Sequence, residues 1–304
     1  MTAVWVPRLA CPECREPVRQ DGPIGFVCPV CVFEFERLRG VYCFLTRQRA
    51  QAAAPFLRQY RLVREREGYR SATPDYYRML PSVPPDDPHA SEWRLRRESY
   101  TRLLQHALPP VWSGPIRILE LGAGSGWLSH RLASFGHEVV AVDQQDDEVD
   151  GLGACRHYPV SFAAVQADFD ALPFAPGQFD LAVFEGSLHY APDPLATLAE
   201  AKRMLMPGGA IAVMDSPMFA DERDGEAMVA DRHRQMQSDH GLTSVVRPGL
   251  GFLTFPLLAA AAARLGLCGA FYRSRGSFLL QARRPFARLK LGRPPAAFGL
   301  WVAR

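Results

Sequence analysis

The chain has 304 residues and almost no lysine: Lys202 and Lys290 are the only two, so arginine carries nearly all of its positive charge. It also lacks an apolar run of the roughly 18 residues that a membrane-spanning helix needs. The nearest approach, Phe255 to Ala263, already contains Pro256 and stops at Arg264. The first ten residues have neither a basic head nor a long apolar core, which argues against a secretory leader and predicts a soluble, cytoplasmic protein with no membrane partner. Acid is missing from residues 272–304, which hold eight basic side chains, whereas residues 114–271 carry 20 acids against 10 bases. The net charge of +3 therefore conceals basic ends around an acidic middle. Such ends offer a surface to an anionic partner such as RNA, although an arginine-rich composition accounts for the same numbers. With 48% hydrophobic and 22% charged residues, disorder and coiled coil are excluded as global descriptions. The length admits one large α/β domain with a small appendage.

Four of the seven cysteines form two matching knuckles, Cys11-Pro-Glu-Cys14 and Cys28-Pro-Val-Cys31. Two intervening residues let both sulfurs of a knuckle point at one ion, and the 13 residues between the knuckles allow one short hairpin. Four converging thiolates make a closed tetrahedral site for structural Zn2+. A closed site has no open coordination position, so no catalysis is assigned to it. A doubled motif in a chain read as cytoplasmic argues against disulfides and against a redox pair. The metal would supply folding energy that so small a core cannot. The alternating stretch Phe33 to Leu45 extends this zinc ribbon over residues 1–45. Residues 46–112 read as a helical insert. Pro55 opens a periodic stretch closed by Gly68, and Ser91 is the expected N-cap of a second helix that ends before Pro109-Pro110. The proline-rich loop between them, residues 71–91, is too long for a mere connection and is a candidate lid. The aromatic stripes at helical spacing are either core or the lining of a substrate pocket.

Residues 113–304 alternate strands and helices. Ile116 to Leu121 is a buried strand that runs into Gly122-Ala-Gly124-Ser-Gly126, followed by a helix. Strands over Glu138 to Asp143, Phe162 to Ala167, Phe179 to Phe184 and Ala210 to Asp215 follow, with Asp193-Pro194 starting a helix before the last of these and Pro207-Gly208-Gly209 turning into it. Two more strands, at about 269–273 and 297–303, complete an α/β, doubly wound, seven-stranded mostly parallel sheet. Ligands of such sheets lie beyond the carboxyl ends of the strands. Glu120, Asp143, Asp168 and Glu185 stand at that edge. Four acids there would repel a pyrophosphate but suit a ribose, an adenine amine and a positive centre; the alternative for any one of them is a helix cap. Trp127 occupies the position where a nicotinamide fingerprint wants its third glycine.

Taken together, Glu120-Leu-Gly-Ala-Gly-Ser-Gly126, Ala167-Asp168 with Leu172-Pro-Phe174, Phe179-Asp180 and Pro207-Gly208-Gly209 resemble the successive motifs of class I S-adenosylmethionine-dependent methyltransferases, in the broad subgroup that includes ubiquinone-type and other small-molecule enzymes. The resemblance covers residues 115–216 closely. It implies S-adenosylmethionine as cofactor, with Gly122, Gly124 and Gly126 around its methionine end and Glu120 near its amino group. It further implies Asp143 on the ribose with Gln144 beside it, Asp168 and Phe169 at the adenine, and Glu185 at the tip of the fourth strand. The ribbon resembles those of small activator subunits serving RNA and translation-factor methyltransferases, and of bacterial guanine-N1 methyltransferases of large-subunit ribosomal RNA. The insert 46–112 departs from both.

The expected activity is methyl transfer to a small-molecule or other non-nucleic acceptor. The alternatives are a ribosomal or transfer RNA methyltransferase that grips RNA through the ribbon and basic termini, and a non-catalytic cofactor-binding protein. Glu185 to Tyr190 would face the methyl group, and this run is neither Asn-Pro-Pro-Tyr nor Pro-Cys. His189 is the candidate base or substrate contact, with a loop or capping histidine as the alternative; Asp215 is the second candidate base. Asp221 to Gly241 reads as a helix, either on the surface or covering the site with Met228, His233, Met236 and His240. The acid-free run Arg283 to Lys290 is either a solvated helix or a contact to an anionic partner.

Overall fold

The computed structural model describes residues 4–69, 73–108, 114–242, 244–275 and 291–304. Its centre is built by four mostly apolar runs that pair in parallel: β5 (Arg117–Leu121), β6 (Glu138–Asp143), β7 (Ala163–Gln166) and β8 (Phe179–Glu185). Strands buried on both faces are continuously apolar rather than alternating, and Ile118, Leu119, Val140, Val142, Leu181 and Phe184 are fully buried. Beyond β8 the sheet continues with β9 (Leu205–Met214), then β13 (Gly299–Ala303) and β12 (Gly269–Arg273), the last two each paired antiparallel. These seven strands are the expected sheet.

Four further strands lengthen it. The ribbon strands β1 (Arg19–Asp21), β2 (Gly25–Val27), β3 (Glu34–Leu38) and β4 (Val41–Cys43) form an antiparallel meander, and β4 lies parallel to β7 with Tyr42 opposite Val165. The complete order is β1-β2-β3-β4-β7-β6-β5-β8-β9-β13-β12. Phe35 and Phe44 stack at 4.6 Å and share one hydrophobic core with Cys11, Cys28, Val165 and Phe174.

Helices cover both faces. On one face α5 (Pro194–Met204) and α7 (Phe255–Arg264) bury Leu198, Ala201, Leu258 and Ala261. The other face is covered by α2 (Pro74–Met79), α3 (Ala90–His106) and α4 (Trp127–Ser134), which bury Tyr77, Trp93, Leu103, Trp127 and Leu128. As expected, Asp193 caps α5, accepting from the backbone N–H groups of Leu195 at 2.9 Å and Ala196 at 3.2 Å, with Pro194 in the first turn. Two helix starts differ from expectation. Pro55 lies inside α1 (Arg47–Arg66) rather than at its beginning, which is at Thr46. Helix α3 begins one residue before Ser91, with His89 in the cap position and its N–H held by Asp87 at 2.8 Å. The loop 71–91 contains α2, so it is partly structured. The helix over Asp221 to Gly241 is α6 (Glu222–His240), closed by Gly241 in the left-handed conformation. It braces the end of α1, where Glu67 meets Arg232 at 2.8 Å and His240 at 3.4 Å. Two short strands, β10 (Met218–Phe219) and β11 (Leu253–Thr254), pair in parallel beside it. The run Arg283 to Lys290 lies outside the described residues. No helix among the described residues is long and apolar enough to cross a membrane.

Glu120 is fully buried in β5 and accepts a hydrogen bond from the Ser129 hydroxyl, which ties the strand to α4. Burial pushes its carboxyl up to about 8. The folded state thus keeps a proton that an unfolded glutamate releases near 4.5. This group favours folding most below that value, and its contribution is lost as pH rises to about 8. In Glu120→Gln the denaturant midpoint is expected to fall less steeply between about pH 5 and pH 8 than in the wild type. Parallel profiles for the two proteins would contradict the buried proton.

Candidate active site

The loop after β5 must cross the loop after β8, and glycine decides whether it can. Gly122 has φ +77°, and a Cβ there would stand 2.3 Å from the Cβ of Ser187. With no side chain in the way, Gly122 and Ala123 both donate to the carbonyl of Val142, at 2.8 and 2.9 Å. Gly126, at φ +75°, starts α4 where a Cβ would meet the Phe162 ring at 2.9 Å. The turn brings the Gly124 N–H to Asp143 Oδ2 at 2.8 Å, while Asp143 Oδ1 accepts from the Gln145 N–H at 2.8 Å. Each carboxylate oxygen thereby spends one acceptor position on the backbone and keeps another. Burial raises the pKa of Asp143, and the backbone N–H groups of Gln145, Gly124 and Gln144 oppose that rise.

A cavity of about 550 Å³ opens over the carboxyl ends of β5, β6, β7 and β8. Of the expected site residues, Gly122, Gly124, Asp143, Gln144, Asp168, Phe169 and Glu185 line it; Glu120, Gly126 and His189 do not. Gln144 accepts at its carbonyl from Gln166 Nε2 at 3.1 Å. Asp168 takes the Asp170 N–H on one oxygen at 3.0 Å and Arg49 Nη1 on the other at 3.2 Å. Phe169 stands edge-on to Phe184 at 6.3 Å. Its neighbour Asp170, bonded to the Thr197 hydroxyl, is pushed up by burial to about 6.

Glu185 is 7% exposed, with Arg96 Nε at 3.6 Å from its Oε1, which has no hydrogen-bond partner. Behind it Asp215 accepts from the Ser99 hydroxyl at 2.6 Å; burial, aided by the Glu185 charge, raises its carboxyl to about 8. Asp215 does not line the cavity, and neither do Met228, His233, Met236 or His240 of α6. His189 turns its Nδ1 to Ser216 Oγ at 3.0 Å and packs on the Tyr190 ring at 4.2 Å. Burial, with Arg247 and Arg96 nearby, lowers its pKa to about 3, so the imidazole is neutral across the physiological range.

The insert supplies the roof, with Phe56 and Tyr60 from α1, Tyr76 and Tyr77 from α2, and Trp93 and Arg96 from α3. The aromatic stripes therefore line a pocket as well as fill a core. Motif reading missed four arginines in the wall: Arg49, Arg64, Arg96 and Arg247. Two of them carried a signal. Arg64 continues the stripe Phe56, Tyr60 at four-residue spacing, and Arg96 stands between Trp93 and Tyr100. Arg64 grips Asp150 through both carboxylate oxygens at 2.8 Å, and Arg96 lies over the Trp93 ring at 4.8 Å.

At the ribbon end, the Sγ atoms of Cys11, Cys14, Cys28 and Cys31 all lie within 4.8 Å of one another, with Cys14 and Cys28 3.5 Å apart. Zinc–sulfur bonds of about 2.3 Å at tetrahedral angles require sulfurs about 3.8 Å apart, so the donor set and its spacing fit one such ion. The knuckles fold alike. Each second cysteine is followed by a residue in the left-handed region, Arg15 at φ 68° and Val32 at φ 57°. The N–H of each returns to the first cysteine's carbonyl, at 2.8 and 3.0 Å.

Residues 119–213 match the family model described as a methyltransferase domain. Over 117 residues the chain is 32% identical to the malonyl-[acyl-carrier protein] O-methyltransferase of Erwinia pyrifoliae, covering 38% of this chain and 42% of that protein. Over 101 residues it is 32% identical to a ubiquinone biosynthesis O-methyltransferase of Xanthomonas campestris pv. campestris, covering 31% and 41%. The chain thus spans less than half the length of these two relatives. The crystal structure of an S-adenosylmethionine dependent methyltransferase from Mesorhizobium loti superposes with a TM-score of 0.50 at 23% identity, covering 69% of this chain and 99% of that one, which is a likeness of fold. The chain carries a methyltransferase domain over residues 119–213, built in the Rossmann-like fold of the S-adenosylmethionine-dependent methyltransferases.

Proposed function

We propose that the chain is an S-adenosylmethionine-dependent methyltransferase acting on a small-molecule acceptor, with one structural Zn2+ held by Cys11, Cys14, Cys28 and Cys31. The observation that carries this reading is Asp143 beside the glycine turn: a carboxylate anchored by two backbone N–H groups that keeps an acceptor position on each oxygen. Two vicinal ribose hydroxyls fit those positions. When bound, the cofactor supplies a methyl group on a positive sulfur, an electrophile that needs no further activation. The chain's own residues bind, orient and exclude water. Gly122 and Gly124 leave the backbone bare for close approach, Gln144 flanks the ribose, and Asp168 and Phe169 border the purine. The aromatic roof of α1 to α3 leaves room for a small acceptor and shields the reacting atoms from solvent. Glu185 lines the cavity, and its Oε1, ion-paired with Arg96 at 3.6 Å, accepts no hydrogen bond, which supports it over His189 as the group that takes a proton from the acceptor. The acceptors for which the two relatives are named support a non-nucleic acceptor here.

Calorimetry on the full chain is expected to show one equivalent of S-adenosylmethionine bound, with affinity reduced at least about 10-fold in Asp143→Ala, the cost of hydrogen bonds to a charged acceptor. Affinity indifferent to that change, or a preference for a dinucleotide, would defeat the proposal. With labelled cofactor, methyl groups should enter a fraction of metabolite extract. Incorporation into total RNA instead would make the chain an RNA methyltransferase, and binding without any transfer would make it a non-catalytic cofactor-binding protein.

The metal has its own test. Elemental analysis should give one zinc per chain. Removing it, or changing Cys28 to Ser, should lower the melting temperature by about 4 °C or more, the shift that follows from roughly 2 kcal/mol in a chain of this size. A melting curve that ignores both treatments would deny the ion a structural role.

A further inference from the structure

Of the four arginines that line the cavity, three have carboxylate partners within the described residues: Arg49 with Glu13 and Asp168, Arg64 with Asp150, and Arg96 with Glu185. Arg247 has none among the described residues. The remaining residues of the chain contain no Asp or Glu, so they hold no carboxylate for it either.

The position of Arg247 is nevertheless built. Its Nε donates to the carbonyl of Gly249 at 2.7 Å. The side chain lies across Gly251, where a Cβ would come within 3.0 Å of Arg247 Cδ and 3.1 Å of Nη1. The same segment is pinned at two places. The Gly251 N–H donates to the His189 carbonyl at 3.0 Å, which seats it on the turn after β8. From α1, the Gln59 amide donates to the Ser244 carbonyl at 2.7 Å and accepts from the Val246 N–H at 2.7 Å. A guanidinium set this firmly, with its terminal nitrogens free of any acid, is a held donor fork.

Beside it stands an aromatic wall. Phe56, Tyr60 and Tyr190 are mutually in contact, with ring centroids 5.3 to 6.1 Å apart, and all three line the cavity. This group sits by the turn after β8, where Tyr60 also feels the charges of Asp150 and Asp143 and Tyr190 those of Arg64 and Arg96. Arg247 differs from the other three guanidinium groups of the wall in having no carboxylate partner among the described residues.

We propose that the acceptor is a planar, largely aromatic molecule with a single carboxylate, seated against Phe56, Tyr60 and Tyr190 and held at its charged end by the guanidinium of Arg247. The proposal names the substrate class of the methyl-transfer site and rests on that reading. One charge is favoured over two because a single guanidinium neutralises a single charge, and Asp143, Asp150, Asp168 and Glu185 already line the cavity. A phosphate dianion would leave an uncompensated negative charge among them. Burial also lowers the pKa of Arg247, against which only Tyr190 acts, so an arriving anion relieves a cost already present.

The test uses the full chain saturated with S-adenosylhomocysteine, titrated calorimetrically with 4-hydroxybenzoate, 4-hydroxyphenylacetate and 6-hydroxy-2-naphthoate, and with the neutral amide of each. At least one carboxylate should bind about 10-fold or more tightly than its amide, the scale of one charge-assisted hydrogen bond. Arg247→Gln should bring acid and amide within about twofold, Arg247→Lys should restore part of the difference, and S-adenosylhomocysteine affinity should stay the same in both variants. The proposal is overturned if no carboxylate binds, if acid and amide bind alike in the wild type, or if Arg247→Gln weakens S-adenosylhomocysteine, which would place Arg247 at the cofactor. Failure of the wild type to bind S-adenosylhomocysteine at all is a separate result and defeats the methyltransferase reading itself.

Discussion

The pairing of β4 with β7 is the contact on which the rest of the architecture depends. It joins the cysteine ribbon to the central sheet in parallel register, and the Phe44 N–H extends the ladder by donating to the Gln166 carbonyl at 2.8 Å. The chain leaves this ladder at Thr46 and enters α1 directly, so the register of β4 sets where Phe56, Tyr60 and Arg64 stand above the strand tips. The first knuckle reinforces the geometry. Glu13, between Cys11 and Cys14, accepts from the Thr46 hydroxyl at 3.2 Å and from Arg49 at 3.1 Å, and Arg49 reaches on to Asp168 at 3.2 Å. A continuous polar chain thus runs from the cysteine cluster to the cavity wall, and Glu13 itself lines the cavity. The ribbon is as much a wall of the site as an appendage to it.

What could be read in advance follows from how each feature writes itself into the chain. Parallel strands buried on both faces leave uninterrupted apolar runs, and those runs located β5, β6, β7 and β8 within a residue or two. A turn that must cross another loop without a Cβ leaves a glycine, and Gly122 is such a position. Acids at successive strand ends marked the rim of the cavity, although Glu120 points into the packing with α4 instead. Proline at the start of a helix led to Pro55 as the first turn of α1, yet the helix runs through it. A proline in mid-helix costs about 3 kcal/mol, and nothing in the local sequence announces that the preceding residues, tied to the ribbon through Thr46 and Arg49, extend the helix backward all the same. The β4–β7 pair was hidden for a related reason: a strand of three residues finds its partner more than 100 positions away, and no periodicity encodes that choice. His189 attracted notice because histidine titrates near neutrality, but burial, with Arg247 and Arg96 nearby, removes that property.

The charges of the cavity form one system. Burying an ion in a poorly solvated wall is costly unless it is paired, and the site meets this condition in three ways. Arg64 and Asp150 satisfy each other in a bidentate contact. Asp215, behind the wall, is pushed toward its neutral form. Asp143 stays anchored by backbone N–H groups that cannot move away. After this accounting the cavity wall still carries more carboxylates than guanidinium groups, while Arg247, beside Tyr190, has no carboxylate partner among the described residues. A ligand set that matches such a wall has its positive centre toward β5 and β8 and its negative group toward Arg247. A methyl donor with a cationic sulfur meets the first requirement, and an acceptor acid meets the second. An acceptor whose aromatic body spans the space between them keeps its carboxylate on Arg247 and turns its reacting atom toward the sulfur, and that arrangement links the acidic rim, the aromatic roof and Arg247 in one electrostatic pattern.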